Sequence, residues 1–121
     1  MSAPLRAALV GCGTLSQRGV LPHLNEPDAR AKIQLAAVVD VVAERARLTA
    51  ERYHVPAWFS DIDTMLAQAE IDMALIITPI AQHFEQAMKA IIAGKHVYVQ
   101  KAMTVTLEEA DLLLAARDRA R

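Results

Sequence analysis

Two short apolar stretches near the start of the chain are followed by very different residues, and this layout limits the fold more than any other feature. Residues 5–10 lead into a run that holds two of the four glycines, Gly11 and Gly13. Residues 35–39 are all apolar and are followed by a single carboxylate, Asp40. Each stretch has the length of a buried strand, and the residues between them leave room for a helix. The order strand, glycine turn, helix, strand predicts two parallel strands of one sheet.

The glycine turn has the features of a phosphate site. Gly11 permits a tight turn from the strand into the helix, and Gly13 lets the backbone approach a pyrophosphate closely. The helix begins near Thr14, so Thr14 and Leu15 lie in its first turn, where free N–H groups and the helix dipole attract phosphate. Ser16 stands where a third glycine is usual.

Asp40, at the tip of the second strand, predicts a partner for a ribose. A carboxylate there can accept hydrogen bonds from the adenosine ribose of a dinucleotide. It lies 27 residues after Gly13, against about 20 in the usual spacing. We interpret residues 25–32 as a loop insertion that absorbs the excess. The alternative left open by these residues is a buried α/β turn with an unrelated aspartate.

Strands and helices alternate along the whole chain without a linker or a repeat. The pattern predicts strands at residues 5–10, 33–39, 58–59, 73–78 and 96–100. It predicts helices from residue 14, over 42–54, after Ser60 or Asp61, over 80–93 and after Thr106. Pro22 is expected to kink or shorten the first helix. We expect an α/β protein in which residues 1–121 form one dinucleotide-binding domain, a Rossmann-like, doubly wound parallel sheet with helices on both faces.

The composition excludes several classes of function. The 121 residues fit one domain, and a net charge of −1 argues against a nucleic-acid partner. No apolar run approaches the roughly 18 residues of a membrane span, and the N-terminus lacks the apolar core of a signal peptide. The single cysteine, Cys12, excludes an internal disulfide and a multi-cysteine metal site, and no histidine spacing suggests a metal site. We expect a cytoplasmic protein without metal, membrane or nucleic-acid partners.

The second half of the chain carries several motifs in order. They are Ile76-Ile77-Thr78-Pro79, then His83, then residues 93–101, then Leu107-Glu108-Glu109-Ala110. Together with the glycine turn and Asp40, they resemble the glucose–fructose oxidoreductase/inositol dehydrogenase (Gfo/Idh/MocA-like) family. The resemblance covers essentially the whole chain.

The resemblance implies a NAD(P)-dependent oxidoreductase that transfers a hydride between nicotinamide and a sugar- or polyol-like secondary alcohol or ketone. Lys101 matches the family's catalytic lysine, near the reacting hydroxyl, and Asp40 matches the ribose site. The residues that correspond to the pyrophosphate site are Gly11, Gly13, Thr14 and Leu15. The residues that correspond to the nicotinamide side of the cofactor are Thr78, Pro79 and His83, and Gln100 is expected to be a further cofactor-binding residue.

The choice between NAD and NADP depends on charge. The Asp40 carboxylate repels the 2′-phosphate of NADP, so we expect NAD, with NADP as the alternative. The plain interpretation of Arg45, Arg47 and Arg52 is the solvated face of a helix. The sharper interpretation is that Arg45 meets a 2′-phosphate.

Three further side chains have two interpretations each. Lys101 is either catalytic or a solvated surface lysine. His83 either contacts the ligand, or it simply caps a helix or faces solvent. Cys12 is either a thiol with a low pKa near a helix N-terminus or a small filler.

The chain departs from the family's pattern in two ways. It has Gln100-Lys101-Ala102 where the family has Glu-Lys-Pro. Family members continue into a second, substrate-binding domain, and we expect this chain to be a fragment or a short relative without it, inactive alone. An enzyme and a non-catalytic nucleotide-binding or sensing module therefore both stay open. An open sheet edge and an apolar last helix predict a homo-oligomer.

Overall fold

The computed structural model describes residues 3–100, 104 and 106–120. Its strands are β1 (Leu5–Val10), β2 (Ile33–Val39), β3 (Ala57–Phe59), β4 (Met73–Ile76) and β5 (His96–Val99). All neighbouring strands pair in parallel, in the order β3-β2-β1-β4-β5. The winding reverses between β1 and β4, which confirms the expected doubly wound, Rossmann-like sheet.

The helices connect successive strands. The α-helices are α1 (Leu21–Leu24), α2 (Pro27–Arg30), α3 (Ala43–Tyr53), α4 (Ile62–Gln68), α5 (His83–Ile92) and α6 (Leu107–Ala120). A π-helix at Ser16–Val20 leads into α1, and a 3₁₀ turn at Ile80–Gln82 leads into α5. Within the described ranges, no helix combines the length and the apolarity needed to cross a bilayer.

Helices cover both faces of the sheet. On one face, Val10 of β1 belongs to a core cluster with Met65 of α4 and Ala90 of α5. On the other face, Leu9 of β1 belongs to a cluster with Leu21 of α1. Successive residues of β1 therefore face different clusters, as expected of a parallel strand that is buried on both sides.

The first helical segment widens before its proline. It begins at Thr14, as expected from the sequence, and takes π geometry at Ser16–Val20. Pro22 is the second residue of α1, which follows the π segment and continues to Leu24. Since proline removes a donor and crowds the preceding turn, the expected disturbance takes the form of a wider turn.

The prediction of a plain loop at residues 25–32 is wrong. These residues contain α2, which starts with Pro27 and carries Asp28 in its first turn. The φ of proline suits the first helical position, and an acid there complements the helix dipole. The chain length between the glycine turn and β2 is thus partly taken up by a turn of helix.

Two predicted helix starts are confirmed by their capping bonds. The Asp61 carboxylate accepts a hydrogen bond from the Thr64 N–H at 2.7 Å and caps α4. The Thr106 hydroxyl oxygen accepts one from the Glu109 N–H at 3.1 Å and caps α6. The strands β4 and β5 end earlier than expected, at Ile76 and Val99. The next residue of each still donates to the neighbouring strand, Ile77 N–H to the Val10 carbonyl oxygen and Gln100 N–H to the Ile76 carbonyl oxygen.

Candidate functional site

The carboxyl ends of the strands meet at one edge of the sheet and surround a cavity of about 230 Å³. Five residues singled out from the sequence line this strand-end cavity: Gly11, Gly13, Asp40, Thr78 and Pro79. The sheet order brings them together, because β1 lies between β2 and β4.

A second cavity, of about 610 Å³, lies between the glycine turn and α3. We call it the helix-side groove. Thr14 lines it, while Gly13 and Arg45 line both cavities. Leu15 is exposed at the start of the helical segment. The two cavities therefore adjoin at Gly13 and Arg45.

Gly11 is required by the fold itself. Its φ is +100°, which L side chains rarely adopt, and a Cβ there would lie 2.4 Å from the Ile77 carbonyl oxygen. Its N–H donates to the Val39 carbonyl oxygen at 2.7 Å. The tight turn therefore holds the end of β1 against the ends of both neighbouring strands.

Gly13 is not required by the fold. A Cβ added there would meet no atom within 4 Å, and its φ is not positive. The Gln17 N–H donates to the Gly13 carbonyl oxygen at 2.9 Å, which closes the first helical turn. The N–H groups before this bond belong to the part of a helix that binds anions. The open face of Gly13 therefore leaves room for a ligand to approach that turn.

Side chains behind the turn hold it in place. The buried Ser16 hydroxyl donates to the Gly11 carbonyl oxygen at 2.6 Å. The Gln17 amide donates to the Cys12 carbonyl oxygen at 3.1 Å and to the Thr49 hydroxyl on α3 at 2.8 Å. The residue in the third glycine position therefore binds the turn internally, a role that the sequence analysis did not predict.

The Asp40 carboxylate is buried and receives four hydrogen bonds. Backbone N–H groups of Cys12 and Val42 donate at 2.9 and 2.8 Å. The Arg45 guanidinium donates twice, from Nε and Nη2, each at 2.9 Å. A carboxylate has about four acceptor positions, so the protein itself occupies them in this arrangement. The sequence analysis missed this pairing, although the five-residue spacing places Arg45 in the helix turn after Asp40.

The same contacts set the charge of Asp40. Burial alone would raise the pKa of this carboxyl, but hydrogen bonds from Arg45, Val42 and Cys12 outweigh burial and hold the pKa below its ordinary value. Asp40 in turn raises the pKa of Arg45. The two groups are therefore an ion pair at neutral pH.

Cys12 packs as a small filler. It is fully buried, and its thiol lies 3.6 Å from the Val39 carbonyl oxygen. Burial raises the pKa of the thiol to about 11. The interpretation of Cys12 as an activated thiol is therefore wrong, since the nearby helix N-terminus does not offset its burial.

His83 supports the loop after β4. Its ring is buried, and Nε2 lies 2.7 Å from the Thr78 carbonyl oxygen, which accepts a hydrogen bond from it. The Thr78 hydroxyl donates to the Gln86 amide oxygen at 2.5 Å. The ring does not face solvent, and it holds the Thr78 backbone at the strand-end cavity. Direct contact between His83 and a cofactor stays a prediction.

The predicted residues at the end of β5 are only partly described. Gln100 is half-buried, and its N–H donates to the Ile76 carbonyl oxygen at 3.0 Å. Lys101 and Ala102 lie outside the described residues. Among the residues that are described, no group of three or more His, Cys, Asp or Glu side chains could hold a metal ion.

A doubly wound sheet with a glycine turn at its switch point defines a class of dinucleotide-binding proteins. The sequence profile of the family described as "Oxidoreductase family, NAD-binding Rossmann fold" matches residues 5–121. The chain therefore belongs to this family, the Gfo/Idh/MocA oxidoreductases, as its motifs had indicated.

Known relatives are longer than this chain. The UDP-N-acetylglucosamine 3-dehydrogenase of Acidithiobacillus ferrooxidans is 36% identical over 110 residues, which cover 91% of this chain and 32% of that protein. The chain spans about a third of the length of the curated relatives it matches.

Solved structures share the fold over nearly the whole chain. The WlbA dehydrogenase from Chromobacterium violaceum, in complex with NADH and UDP-GlcNAcA, matches with a TM-score of 0.90 and 27% identity over 98% of this chain and 33% of that one. KijD10, a 3-ketoreductase from Actinomadura kijaniata in complex with NADP and TDP-benzene, matches with a TM-score of 0.87 and 26% identity over 97% of this chain and 35% of that one.

The central pyrophosphate of a dinucleotide fits the glycine turn. The ribose at one end of the dinucleotide meets a carboxylate that is already hydrogen-bonded by the protein. The open face of Gly13 and the first helical turn suit a pyrophosphate. Asp40, in contrast, has its acceptor positions filled by protein donors. Arg45 must leave the carboxylate before Asp40 can accept a hydrogen bond from a ribose.

Changing each glycine of the turn to alanine should affect a different property, stability for Gly11 and NADH affinity for Gly13. Gly11→Ala should lower the free energy of unfolding by about 2–4 kcal/mol, because the new Cβ is strained and meets Ile77. Gly13→Ala should change stability by less than about 0.5 kcal/mol but weaken NADH binding by about tenfold or more. Urea unfolding and NADH fluorescence titration measure the two effects. Equal NADH affinity of wild type and Gly13→Ala would contradict the role given to Gly13.

The stabilising effect of Asp40 should depend on pH. Because the folded-state pKa of Asp40 lies below its ordinary value, its contribution is present above pH 3.8 and is lost as the pH falls through the folded-state pKa. Asp40→Asn should lower the free energy of unfolding by about 1–2 kcal/mol at pH 7, and this difference should shrink at low pH. Denaturant unfolding across pH measures it, with the exposed Asp28→Asn as the control. A difference that stays constant down to the lowest pH at which the protein folds would contradict the ion pair.

Proposed function

We propose that this chain is the nucleotide-binding domain of a NAD(P)-dependent oxidoreductase. The reaction is hydride transfer between nicotinamide and a secondary alcohol or ketone of a sugar- or polyol-like substrate. The observation that carries the proposal is the glycine turn at the switch point of the sheet. The packing of the fold does not require a glycine at position 13, and the space beside Gly13 is open. A bound nicotinamide coenzyme supplies or accepts the hydride.

The chain's own residues bind and orient the coenzyme in this proposal. The first helical turn after Gly13 binds the pyrophosphate through backbone N–H groups. Thr78 and Pro79 line the strand-end cavity, and His83 fixes the Thr78 carbonyl. The similarity to a UDP-N-acetylglucosamine 3-dehydrogenase and to a 3-ketoreductase in complex with NADP and TDP-benzene supports the substrate class.

Lys101 is the proposed catalytic residue. In the sequence it follows Gln100, and the strand before it, β5, runs parallel to β1, which leads into the glycine turn. A lysine near the reacting hydroxyl can accept or donate its proton if burial lowers the pKa of the amine. The neighbours Gln100 and Ala102, which differ from the family's Glu and Pro, favour the second candidate, a non-catalytic nucleotide-binding or sensing module.

NADH binding by the chain tests the proposal. The purified chain should bind NADH with saturation below about 1 mM, because the pyrophosphate turn is formed by this chain alone. It should show no turnover with polyols or sugar nucleotides, since substrate-selecting residues belong to another domain in the family. Cofactor fluorescence and absorbance measure the two. Absence of NADH binding would contradict the proposal. Robust turnover by the chain alone would contradict the expectation that substrate-selecting residues of another domain are needed.

A substitution at Lys101 distinguishes the two candidate functions, an enzyme and a non-catalytic nucleotide-binding module. In a protein that contains this domain together with its substrate domain, Lys101→Met should lower turnover by about 10²–10⁴-fold. The dissociation constant of NADH should stay within about threefold, because the lysine acts on the substrate hydroxyl. Unchanged turnover would make Lys101 a surface lysine. Increased turnover in a Gln100→Glu, Ala102→Pro variant would identify the natural protein as a weakened enzyme.

Two further expectations stay predictions. A homo-oligomer is expected, and the structure adds that β5 is the edge strand on one side of the sheet and that Tyr98 on it is 53% exposed. Edge strands and exposed apolar side chains favour association. The cytoplasmic location expected from the sequence is also a prediction.

A further inference from the structure

A further cavity, of about 340 Å³, lies at the end of the sheet opposite the glycine turn. We call it the strand-start cavity, because Pro4, directly before β1, and Gln34, near the start of β2, line it. Its other walls come from α1, α2 and the end of α3. Its volume lies within the range of about 300–1,000 Å³ that small-molecule sites occupy.

The extra chain length between the glycine turn and β2 forms part of this cavity. Asp40 lies 27 residues after Gly13, against about 20 in the usual spacing, and α2 takes up part of the difference. This short helix has no buried residue, so it contributes little to the core. Asn25, just before it, and Arg30, at its end, line the strand-start cavity. The insertion therefore serves as a wall of the cavity rather than as part of the core.

Five polar side chains surround the strand-start cavity, and their hydrogen-bonding groups are free. They are Asn25, Arg30, Gln34, Tyr53 and His54. Within the described ranges, none of these side chains forms a hydrogen bond or an ion pair, although the Tyr53 ring lies against the Arg52 guanidinium. At the strand-end cavity, in contrast, the Asp40 and Thr78 side chains are bonded inside the protein. The lining of the strand-start cavity can therefore bind a ligand without breaking a bond of the fold.

The charge of this lining favours an anion. Arg30 is a permanent cation, and no aspartate or glutamate of the described chain lines the cavity. Glu51, in the last turn of α3, is already paired with Arg47. An arginine fork binds phosphate or carboxylate, and asparagine and glutamine amides both donate to and accept from hydroxyl groups. The set therefore suits a small anion that also carries hydroxyl groups.

The backbone of His54 gives a separate indication that its side chain has a function. His54 follows α3 with φ +57° and ψ +43°, and among the described residues it is the only non-glycine residue with a positive φ. Glycine or asparagine is usual at this position after a helix. The His54 N–H donates to the Glu51 carbonyl oxygen at 3.4 Å, a bond that glycine makes equally well. The fold therefore does not require an imidazole here, and a strained position of this kind indicates a role in binding.

We propose that the strand-start cavity is a binding site for a small organic anion with hydroxyl groups, a sugar phosphate or a sugar acid. Arg30 and His54 bind the anionic group, and the amides of Asn25 and Gln34 bind the hydroxyl groups. The site does not depend on coenzyme binding, because no residue that lines it also lines the strand-end cavity or the helix-side groove.

Titration of the ¹⁵N-labelled chain with glucose 6-phosphate and with gluconate tests the site in ¹H–¹⁵N correlation spectra. One or both should shift the amides of Asn25, Arg30, Gln34 and His54 saturably, with a dissociation constant below about 5 mM. Stronger binding of one identifies the preferred anionic group as phosphate or carboxylate. Glucose and inorganic phosphate, each of which lacks one of the two features, should bind at least about tenfold more weakly.

Two substitutions at one short segment separate the cavity from general charge attraction. Arg30→Gln should weaken binding by about tenfold or more. Lys32→Gln is the matched control, because it removes the same charge two residues further along, from a residue that does not line the cavity. It should change the dissociation constant by less than about twofold.

Substitution of His54 by glycine separates binding from stability. His54→Gly should weaken binding by about fivefold or more. The midpoint of urea unfolding should stay equal or rise, because glycine adopts this φ without strain. A loss of binding in this variant is therefore not a loss of the fold.

Three results would overturn the proposed site. The first is no shift at these amides with either compound at about 20 mM. The second is a set of shifts confined to the glycine turn at Gly11, Gly13 and Thr14, which would assign the anion to the coenzyme edge. The third is equal weakening by Arg30→Gln and Lys32→Gln. NADH titration of the same sample reports on the proposed function separately, so that failure of one does not imply failure of the other.

Discussion

The close approach of Gly11 to the end of β4 is the constraint on which the rest of the site depends. A side chain at this position would overlap the Ile77 carbonyl, and the same turn is bonded to the end of β2 through Val39. Because the winding of the sheet reverses at β1, this contact also lies where a ligand can enter between the loops. The positions of Gly13, Asp40 and Thr78 around one cavity follow from it.

Within the described part of the chain, the loops after β1, β2 and β4 are each fixed by a side chain that binds backbone groups. Ser16 binds the Gly11 carbonyl, Asp40 binds the Cys12 and Val42 N–H groups, and His83 binds the Thr78 carbonyl. Backbone groups in irregular segments need such partners when they are buried. The loops are therefore held in place before a ligand arrives, which lowers the entropic cost of binding. Arg45 differs, because its side chain is 48% exposed while it binds the buried Asp40 carboxylate.

Sequence patterns were sufficient for the sheet and for most of the helix starts. Apolar runs, the glycine turn and capping residues such as Asp61 act through local geometry, so spacing alone revealed them. The short helix α2 escaped prediction because it has no buried residue and hence no periodic apolar pattern. The hydrogen bonds from Arg45 to the acceptor positions of Asp40, and the burial of His83, depend on how loops pack in three dimensions. Spacing cannot state which of several nearby donors reaches a carboxylate. The sequence therefore predicted residues that meet at the strand-end cavity, but not the ion pair of Asp40 and Arg45.

The location of the coenzyme is the central claim, and a ¹H–¹⁵N correlation spectrum of the labelled chain titrated with NADH tests it most directly. The account predicts saturable shifts at the amides of Gly11, Gly13 and Thr14 and in the loops after β2 and β4. At the opposite end of the sheet, the Arg6 N–H donates to the Asp72 carboxylate and the Asp72 N–H donates to the Arg6 carbonyl oxygen, and the signals of these two amides should not shift. Shifts that cluster at Arg6 and Asp72, or on α5 and α6, with none at the glycine turn would contradict it.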